Sequence, residues 1–305
     1  MPVRFESSNG VGRFVRPGLL LCLDRLRAMH DLIQPVFSFR CSFLFKVRTL
    51  PMKTIGLLGI TLFIMGVTSP VGAHDLVLLP TGKDGLLIRF GHPGEYEPAD
   101  LPRLVKLDAY TEDADKAISL LELKPAKMGL DWLEERIGQL IDGEPPMMVT
   151  GQYDNGYWIS VKPEKYFNTS RAILPEGKDA GHYLKFAKGL FPAIGEKFNR
   201  MVGQQLEIIP QNDPFKLKPG EKLAVKVLFG NKPLAGVGVE IGDGKTKIKE
   251  ENIPRFQTDS SGIAELPISH GSLQLIAIDY KTPPAHPDLS DHDDYSASLV
   301  FVIPE

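Results

Sequence analysis

The chain has 305 residues, of which 43% are hydrophobic and 24% charged, and its formal net charge is −3. This balance lacks the basic excess that nucleic-acid-binding proteins need. The sequence contains no nucleophile elbow of the Gly-x-Ser-x-Gly type, no phosphate-binding loop and no dinucleotide-binding fingerprint. None of those enzyme classes therefore has a motif here.

Residues 52–73 have the form of a secretory signal peptide. Lys53 gives a basic start, residues 55–67 are apolar, and Val71 and Ala73 place short side chains three and one positions before the predicted cut. The apolar run is shorter than the roughly 20 residues of a membrane-spanning helix. We therefore expect export with cleavage after Ala73 and no membrane span in the cleaved chain. The alternative is an uncleaved N-terminal anchor.

This signal begins far from the first residue. We interpret residues 1–51 as an upstream extension, with the true start at Met52; a genuine extended leader is the alternative. Cys22 and Cys41 both lie in that extension, so the chain from His74 onward has no cysteine and can form neither a disulfide nor a thiolate metal site. An exported protein without disulfides suits a bacterial periplasm.

Cleavage also changes the charge balance. Nine of the 35 basic and three of the 38 acidic residues precede residue 74, which leaves 26 basic against 35 acidic side chains and a net charge of −9. An acidic protein of this kind is a poor ligand for nucleic acid or an anionic membrane, and it favours cations.

The first predicted domain, residues 74–210, is rich in short strands. Leu76–Leu79 and Leu86–Phe90 flank a turn that contains two glycines, and this pattern predicts a β-hairpin. Leu104–Tyr110 is predicted to be a further strand. Apolar residues at helical spacing between Leu130 and Ile141 predict a helix inserted among these strands.

The second predicted domain, residues 211–305, is more regular. Short apolar segments such as 223–229, 263–268 and 273–280 recur with Gly, Pro, Asn and Asp between them. Strands at a spacing of about 8–12 residues with such turns predict an antiparallel sandwich. The fold class is therefore mainly β, with two β-sandwich-like domains and a helical insert in the N-terminal one.

His74 is the strongest candidate functional residue. If the signal is cut after Ala73, His74 becomes the first residue and carries two nitrogen donors, its α-amine and its imidazole. A terminal amine has a pKa of about 7.7–8.0, so a metal can displace its proton at neutral pH. Amine and imidazole together suit Cu(II) or Ni(II). The alternative is a histidine exposed by chance at a frayed terminus.

His92 is the predicted partner of His74. It lies at the end of the second strand in a loop rich in Gly and Pro. If the first two strands pair, the open ends of the hairpin bring His92 back to His74. A solvated loop histidine is the alternative for His92.

Three further histidines are candidate metal ligands. The segment 286–294 contains His286, His292 and four carboxylates, a composition that suits a divalent cation but also an ordinary solvated loop. His182 is a candidate third ligand or an exposed side chain. His270, in a Ser-His-Gly turn, is expected to be structural.

Several segments in a fixed order resemble a known family. They are Ala73-His74-Asp75-Leu76, Phe90-Gly91-His92-Pro93-Gly94-Glu95, Leu184-Lys185-Phe186-Ala187-Lys188-Gly189-Leu190, Leu206-Glu207-Ile208-Ile209-Pro210 followed by Pro214-Phe215, Val227–Gly236, and Asp294-Tyr295-Ser296-Ala297-Ser298-Leu299. Together they resemble the exported bacterial proteins labelled nickel or cobalt uptake transporter components, over essentially the whole chain from residue 74.

This resemblance implies a periplasmic protein with a role in transition-metal uptake. It also implies a C-terminal β domain of immunoglobulin-like or carboxypeptidase-regulatory-like type. His74 and His92 match the family pattern, whereas the predicted helix at 130–141 departs from it.

Three functions follow as hypotheses. The first is a periplasmic protein that binds Ni(II), Co(II) or Cu(II) through His74, His92 and a third group, and presents the metal to a membrane uptake transporter. The second is a copper enzyme, in which the same histidines and the terminal amine form a brace for oxidative chemistry. The third is a non-catalytic binding or structural β module, since such scaffolds occur without chemistry of their own.

Overall fold

A computed structural model describes most of the chain from His74 onward. It describes residues 74–303, except 83–84, 113–115, 123–140, 142, 164, 250–251 and 270–272. In this part the chain is mainly β, as the sequence predicted, and its helices are short 3-10 segments. The signal peptide, residues 1–51, most of the predicted helix at 130–141 and His270 lie outside the described residues.

The secondary structure of the described residues consists of sixteen strands and three 3-10 helices. The strands are β1 Asp75–Thr81, β2 Gly85–His92, β3 Glu95–Pro98, β4 Leu104–Tyr110, β5 Ile118–Ser119, β6 Met148–Lys162, β7 Lys165–Phe167, β8 Lys178–Leu190, β9 Leu206–Pro210, β10 Lys222–Phe229, β11 Lys232–Pro233, β12 Gly238–Gly242, β13 Arg255–Gln257, β14 Ile263–Pro267, β15 Leu273–Thr282 and β16 His292–Val302. The 3-10 helices are Leu101–Arg103, Pro192–Asn199 and Pro214–Lys216. No described helix has the length and apolar character needed to cross a membrane.

The strands form three sheets. A three-stranded sheet has the order β1-β2-β3, and a four-stranded sheet surrounds β10 with β9, β11 and β14. The largest sheet has the order β13-β12-β15-β16-β8-β6-β4-β5, with β7 beside β6. Strands β16 and β8 pair in parallel, although about 110 residues separate them, and the other pairs are antiparallel.

The nine-stranded sheet is the middle layer. Along β16, Leu299 and Phe301 pack into one core with Val225 and Val227 of β10, so this face meets the four-stranded sheet. The intervening Val300 packs against the other side, with residues of β1. Both faces of the middle sheet are therefore covered, which is why several of its strands are apolar on both sides.

Strand β1 approaches the middle sheet edge-on. The Ser298 hydroxyl donates a hydrogen bond to the Leu76 carbonyl at 2.6 Å. A Cβ atom at Gly189 would come within 2.8 Å of the Leu78 carbonyl oxygen, so this close approach requires glycine. The Ser298 hydroxyl and Gly189 together define the position of β1, a buried edge strand. The position of His74, the residue before β1, follows from it.

The predicted domain boundary at residues 210/211 falls between two paired strands. Strand β9, which ends at Pro210, pairs with β10 through register partners such as Val225 and Pro210. The middle sheet also takes strands from both predicted domains, since β16 pairs with β8. The division into two domains stays a prediction, and one continuous sheet crosses it.

Candidate functional site

The first hairpin brings two histidines together. Strands β1 and β2 pair with Asp75 opposite Gly91, which sets His74 opposite His92. Their ring centroids are 4.4 Å apart and the ring planes are tilted by 38°. The predicted pairing of the two strands is thus confirmed, and we call His74 and His92 the histidine pair.

Aromatic side chains support one side of the histidine pair. Phe90 stacks on His74 with centroids 5.4 Å apart and planes within 7°. Tyr153 of β6 in turn lies 4.9 Å from Phe90. The register explains this stack, because Phe90 and His92 are two residues apart and share one face of β2. The middle sheet therefore orients His74 through two rings, although His74 itself is exposed.

The surroundings of His74 favour the uncharged form of its imidazole. Partial burial, together with the neighbouring His92 and Lys185, lowers the pKa of His74 below its usual value. The neutral imidazole is the form that binds metal ions. If the chain is cut after Ala73, the α-amine of His74 adds a third nitrogen donor to the two imidazoles.

The other three candidate histidines have partners of their own or lie at the surface. The His182 ring stacks on Tyr157 with centroids 4.3 Å apart, and its Nε2 lies 3.0 Å from Asp154 Oδ1. His292 is buried, with its ring edge-on to Tyr183. His286 is exposed.

The described residues contain no group of three or more His, Cys, Asp or Glu side chains arranged to hold a metal ion. The assignment of His182, His286 and His292 as ligands therefore stays a prediction. The histidine pair supplies two imidazole donors, and the third donor would be the α-amine of His74 after cleavage.

A charged cluster beside the pair was not predicted from the sequence. Lys185 of β8 is only 1% exposed and its Nζ has no hydrogen-bond partner. Burial raises the pKa of Asp75 to about 7, an effect that Lys185 opposes and Glu240 reinforces. Loss of surrounding water and the nearby Asp75 carboxylate also raise the pKa of Asp279 well above its usual value, although part of the Asp279 side chain stays exposed. The cluster thus brings two carboxyl groups with raised pKa values close to one buried lysine.

A pocket of about 300 Å³ opens between this cluster and the histidine pair. His92 and Pro93 of the β2–β3 turn line one side, and β12 with the loop after it lines another. Asp75 and Asp279 contribute carboxylates to the same lining. The histidine pair therefore borders a concave, acidic surface rather than open solvent alone.

The chain belongs to the family described as a domain of unknown function (DUF4198), which matches residues 71–282. It is also similar to an uncharacterized protein of Haemophilus influenzae, with 25% identity over 218 residues that cover 68% of this chain and 83% of that protein. Neither description names a ligand, so the function rests on the chemistry of the site.

Proposed function

We propose that this DUF4198 protein is a periplasmic transition-metal-binding protein that assists nickel or cobalt uptake, or copper uptake. The metal is its cargo, and His74 and His92 hold it. The observation that carries this proposal is the pairing of the two imidazoles at the open end of a buried hairpin, 4.4 Å between centroids.

The ring separation supports two ligands in adjacent coordination positions. With metal–nitrogen bonds of about 2.0–2.1 Å and a ring radius of about 1.1 Å, imidazoles bound at 90° have centroids about 4.5 Å apart. Imidazoles on opposite sides of the metal would have centroids about 6.3 Å apart. The centroid separation of the histidine pair, 4.4 Å, is close to the value for adjacent positions, and the His74 amine would occupy a third position.

The donor set supports nickel, cobalt or copper over calcium or magnesium. Nitrogen donors suit Ni(II), Co(II) and Cu(II), whereas hard cations require oxygen ligands. Intrinsic affinity at such a site favours copper, so the cargo in the cell depends on metal supply.

The remaining parts of the proposal concern location, partner and fold. Export through the signal at residues 52–73, with a cut after Ala73, would create the terminal amine and deliver the protein to the periplasm. The partner is a membrane metal-uptake transporter. Residues 211–305 are assigned to an immunoglobulin-like domain and residues 130–141 to a helical insert.

The test is metal titration of three chains. The first begins at His74, the second carries Ala at position 74 instead, and the third begins at Ala73, so that it keeps the imidazole but displaces the amine. We expect both altered chains to lose more than the roughly 10–100-fold that removal of an outer-shell partner costs. His286→Ala tests the other candidate ligands in the same titration, because a loss of affinity in that variant would show that the segment 286–294 contributes to the site.

The result separates the three hypotheses. Equal nickel, cobalt and copper affinity in all chains would place the site elsewhere, and absence of binding in every chain would favour a structural module. Copper-dependent oxidation of substrate or production of peroxide by the chain that begins at His74 would favour the oxidative enzyme instead.

A further inference from the structure

One end of the middle sheet concentrates exposed apolar side chains. Of the six large hydrophobic side chains that are exposed among the described residues, three fall between positions 161 and 173. They are Val161 and Phe167, each 41% exposed, and Ile173, which is 76% exposed. Apolar residues scattered singly over a surface are ordinary, whereas a group of them marks an interaction surface. We call residues 161–178 the tip.

The three exposed residues lie around one buried residue, Ile159 of β6. Phe167 is directly opposite Ile159 in the β6–β7 pair, and Val161 follows Ile159 by two positions. The loop after β7 turns against the same side chain, since a Cβ at Gly177 would lie 2.4 Å from Ile159 Cδ1. That loop carries Ile173, and backbone hydrogen bonds within the loop hold its shape. The exposed apolar side chains therefore belong to one ordered surface.

Three lysines without acidic partners share the tip. Lys162 and Lys165 are directly opposite each other at the end of the β6–β7 hairpin, and Lys178 begins β8 beside β6. All three are exposed, and none forms a salt bridge with a described residue. Because like charges directly opposite each other destabilise a strand pair, this arrangement favours an anionic partner. The Lys165 ammonium lies 5.2 Å from the centre of the Phe167 ring, so cationic and apolar groups are in contact here.

The tip is positive in a chain that is otherwise acidic. Residues 161–178 contain four basic and two acidic side chains, a net charge of +2, although one of the basic side chains, Arg171, is paired with Asp291. The chain from His74 onward has a net charge of −9, so the remainder carries −11. At physiological salt, exposed charges farther apart than about 8 Å are largely screened from each other. A surface that touches the tip therefore responds to the local lysines rather than to the net charge.

The tip and the histidine pair lie at the same end of the middle sheet. Strand β1 runs beside β8 in the same direction, with His74 near Lys185 and Leu78 near Gly189. Lys178 precedes Lys185 by seven residues, or about 23 Å of extended strand. A surface in contact with the tip would thus lie about 25 Å or less from the histidine pair.

We propose that the tip docks on the surface of an anionic lipid bilayer, with its lysines at the phosphate groups and Ile173 and Phe167 between the head groups. Cations around a small apolar area are typical of proteins that lie on a membrane without crossing it. A soluble anion would pair with the lysines and leave the apolar side chains in water, whereas a bilayer interface accommodates both. The docking needs no metal, and it would hold the histidine pair near a membrane transporter.

Vesicle flotation measures the docking. The chain that begins at His74, without metal, is mixed with vesicles of phosphatidylglycerol and phosphatidylethanolamine, or with vesicles of phosphatidylcholine alone. We expect binding to the anionic vesicles only, and a loss of affinity of at least tenfold between roughly 0.1 M and 0.5 M salt, because salt screens the lysines.

Three variants test whether the tip is responsible. Lys162→Gln combined with Lys165→Gln should weaken binding by about 25-fold, at about fivefold for each lysine. Ile173→Ser should weaken binding by about fivefold, because a polar side chain gains nothing from the interface. Ile173→Trp places a reporter at the tip, and its fluorescence should shift to the blue with anionic vesicles as the indole leaves water.

Matched controls carry the same changes outside the tip. Lys218→Gln combined with Lys232→Gln removes two exposed lysines near β10, and Met201→Ser removes a methionine that is 57% exposed. Neither control should change the affinity for vesicles. All of these side chains are exposed, so every variant should melt close to the wild-type temperature.

Several results would overturn the inference. These are equal affinity for phosphatidylcholine vesicles, equal losses in the tip and control variants, or vesicle binding without a shift of the Ile173→Trp fluorescence, which would mean that another surface docks. Absence of binding to every vesicle also overturns it, and binding of polyglutamate in that case would indicate an acidic protein partner instead. None of these results decides metal binding, which the titration of His74 tests separately.

Discussion

A fully buried ion pair gives the sharpest test of the packing that supports the site. Lys188 of β8 donates to Glu207 of β9 at 2.6 Å, and both side chains are almost completely buried. Glu207 also accepts hydrogen bonds from the backbone amides of residues 202, 203 and 204. This pair joins the middle sheet to the four-stranded sheet.

Removal of either partner leaves the other charge buried without its counter-ion. Such a loss typically costs about 3–5 kcal/mol, whereas exchange of both partners for well-fitting neutral residues costs far less. We expect Lys188→Met and Glu207→Gln each to lower the free energy of unfolding by about 3 kcal/mol. The double variant should lose no more than either single variant, at most about 3 kcal/mol rather than about 6, because the glutamine side chain keeps an oxygen that accepts from the backbone amides, and the coupling is then at least about 3 kcal/mol.

Urea denaturation followed by circular dichroism measures these values. A protein of this size has about 5–15 kcal/mol of stability, so each variant should remain folded in buffer. The m-values must agree among the four proteins for the comparison to hold. A coupling energy below about 0.5 kcal/mol would show that the two charges do not depend on each other, and the reasoning would be wrong.

Two further predictions concern the position of β1 and the charge in the pocket. Gly189→Ala should lower the free energy of unfolding by about 1–3 kcal/mol, because its Cβ would lie 2.8 Å from the Leu78 carbonyl oxygen. Gly242→Ala is the control, since the nearest atom to a Cβ at that position is 4.0 Å away. Thermal melting compares the two variants. Burial and the Asp75 carboxylate raise the pKa of Asp279. Between the usual pKa of 3.8 and the raised pKa, the folded state therefore holds a proton that the unfolded chain has lost. The free energy of unfolding of the wild type accordingly falls as the pH rises past 3.8. We therefore expect Asp279→Asn to be more stable than wild type at pH 7, by less than about 1 kcal/mol because the pocket admits solvent, and no more stable at pH 3.5. An equal difference at both pH values would contradict this prediction.

The histidine pair was predictable because its causes are local. The turn between β1 and β2 and the apolar residues on each side specify an antiparallel hairpin within 18 residues. An antiparallel hairpin joins the residue before its first strand to the last residue of its second. His74 and His92 occupy those two positions, so their proximity follows from the pairing alone.

The charged cluster and strand β8 were not predictable in the same way. Lys185 and Lys188 fall on opposite faces of β8, and a lysine in a sequence is normally read as exposed. Both are buried here because each face of the middle sheet is covered by another sheet. The partner strand β16 is about 110 residues away and pairs in parallel, and no local pattern specifies such a contact.

Strand β6 shows the same limit. Residues 147–150 and 156–161 have strand character in the sequence, with a polar interruption between them at Asp154 and Asn155. In the structure one strand runs from Met148 to Lys162, with a register shift at the interruption. A bulge accommodates the extra residue, and pairing with β8 on one side and β4 on the other holds the strand together.

The strand that follows His74 is firmly held in the fold. Leu76, Val77 and Leu78 are all fully buried, and burial of each contributes about 1.5–3 kcal/mol. Folding therefore fixes the backbone up to Asp75 before any metal binds, and stacking on Phe90 restricts the His74 ring. A ligand that is already ordered loses less conformational entropy on binding than a free terminus does. A cut after Ala73 would accordingly place the new amine directly before an ordered strand, on a residue whose ring lies beside the His92 imidazole.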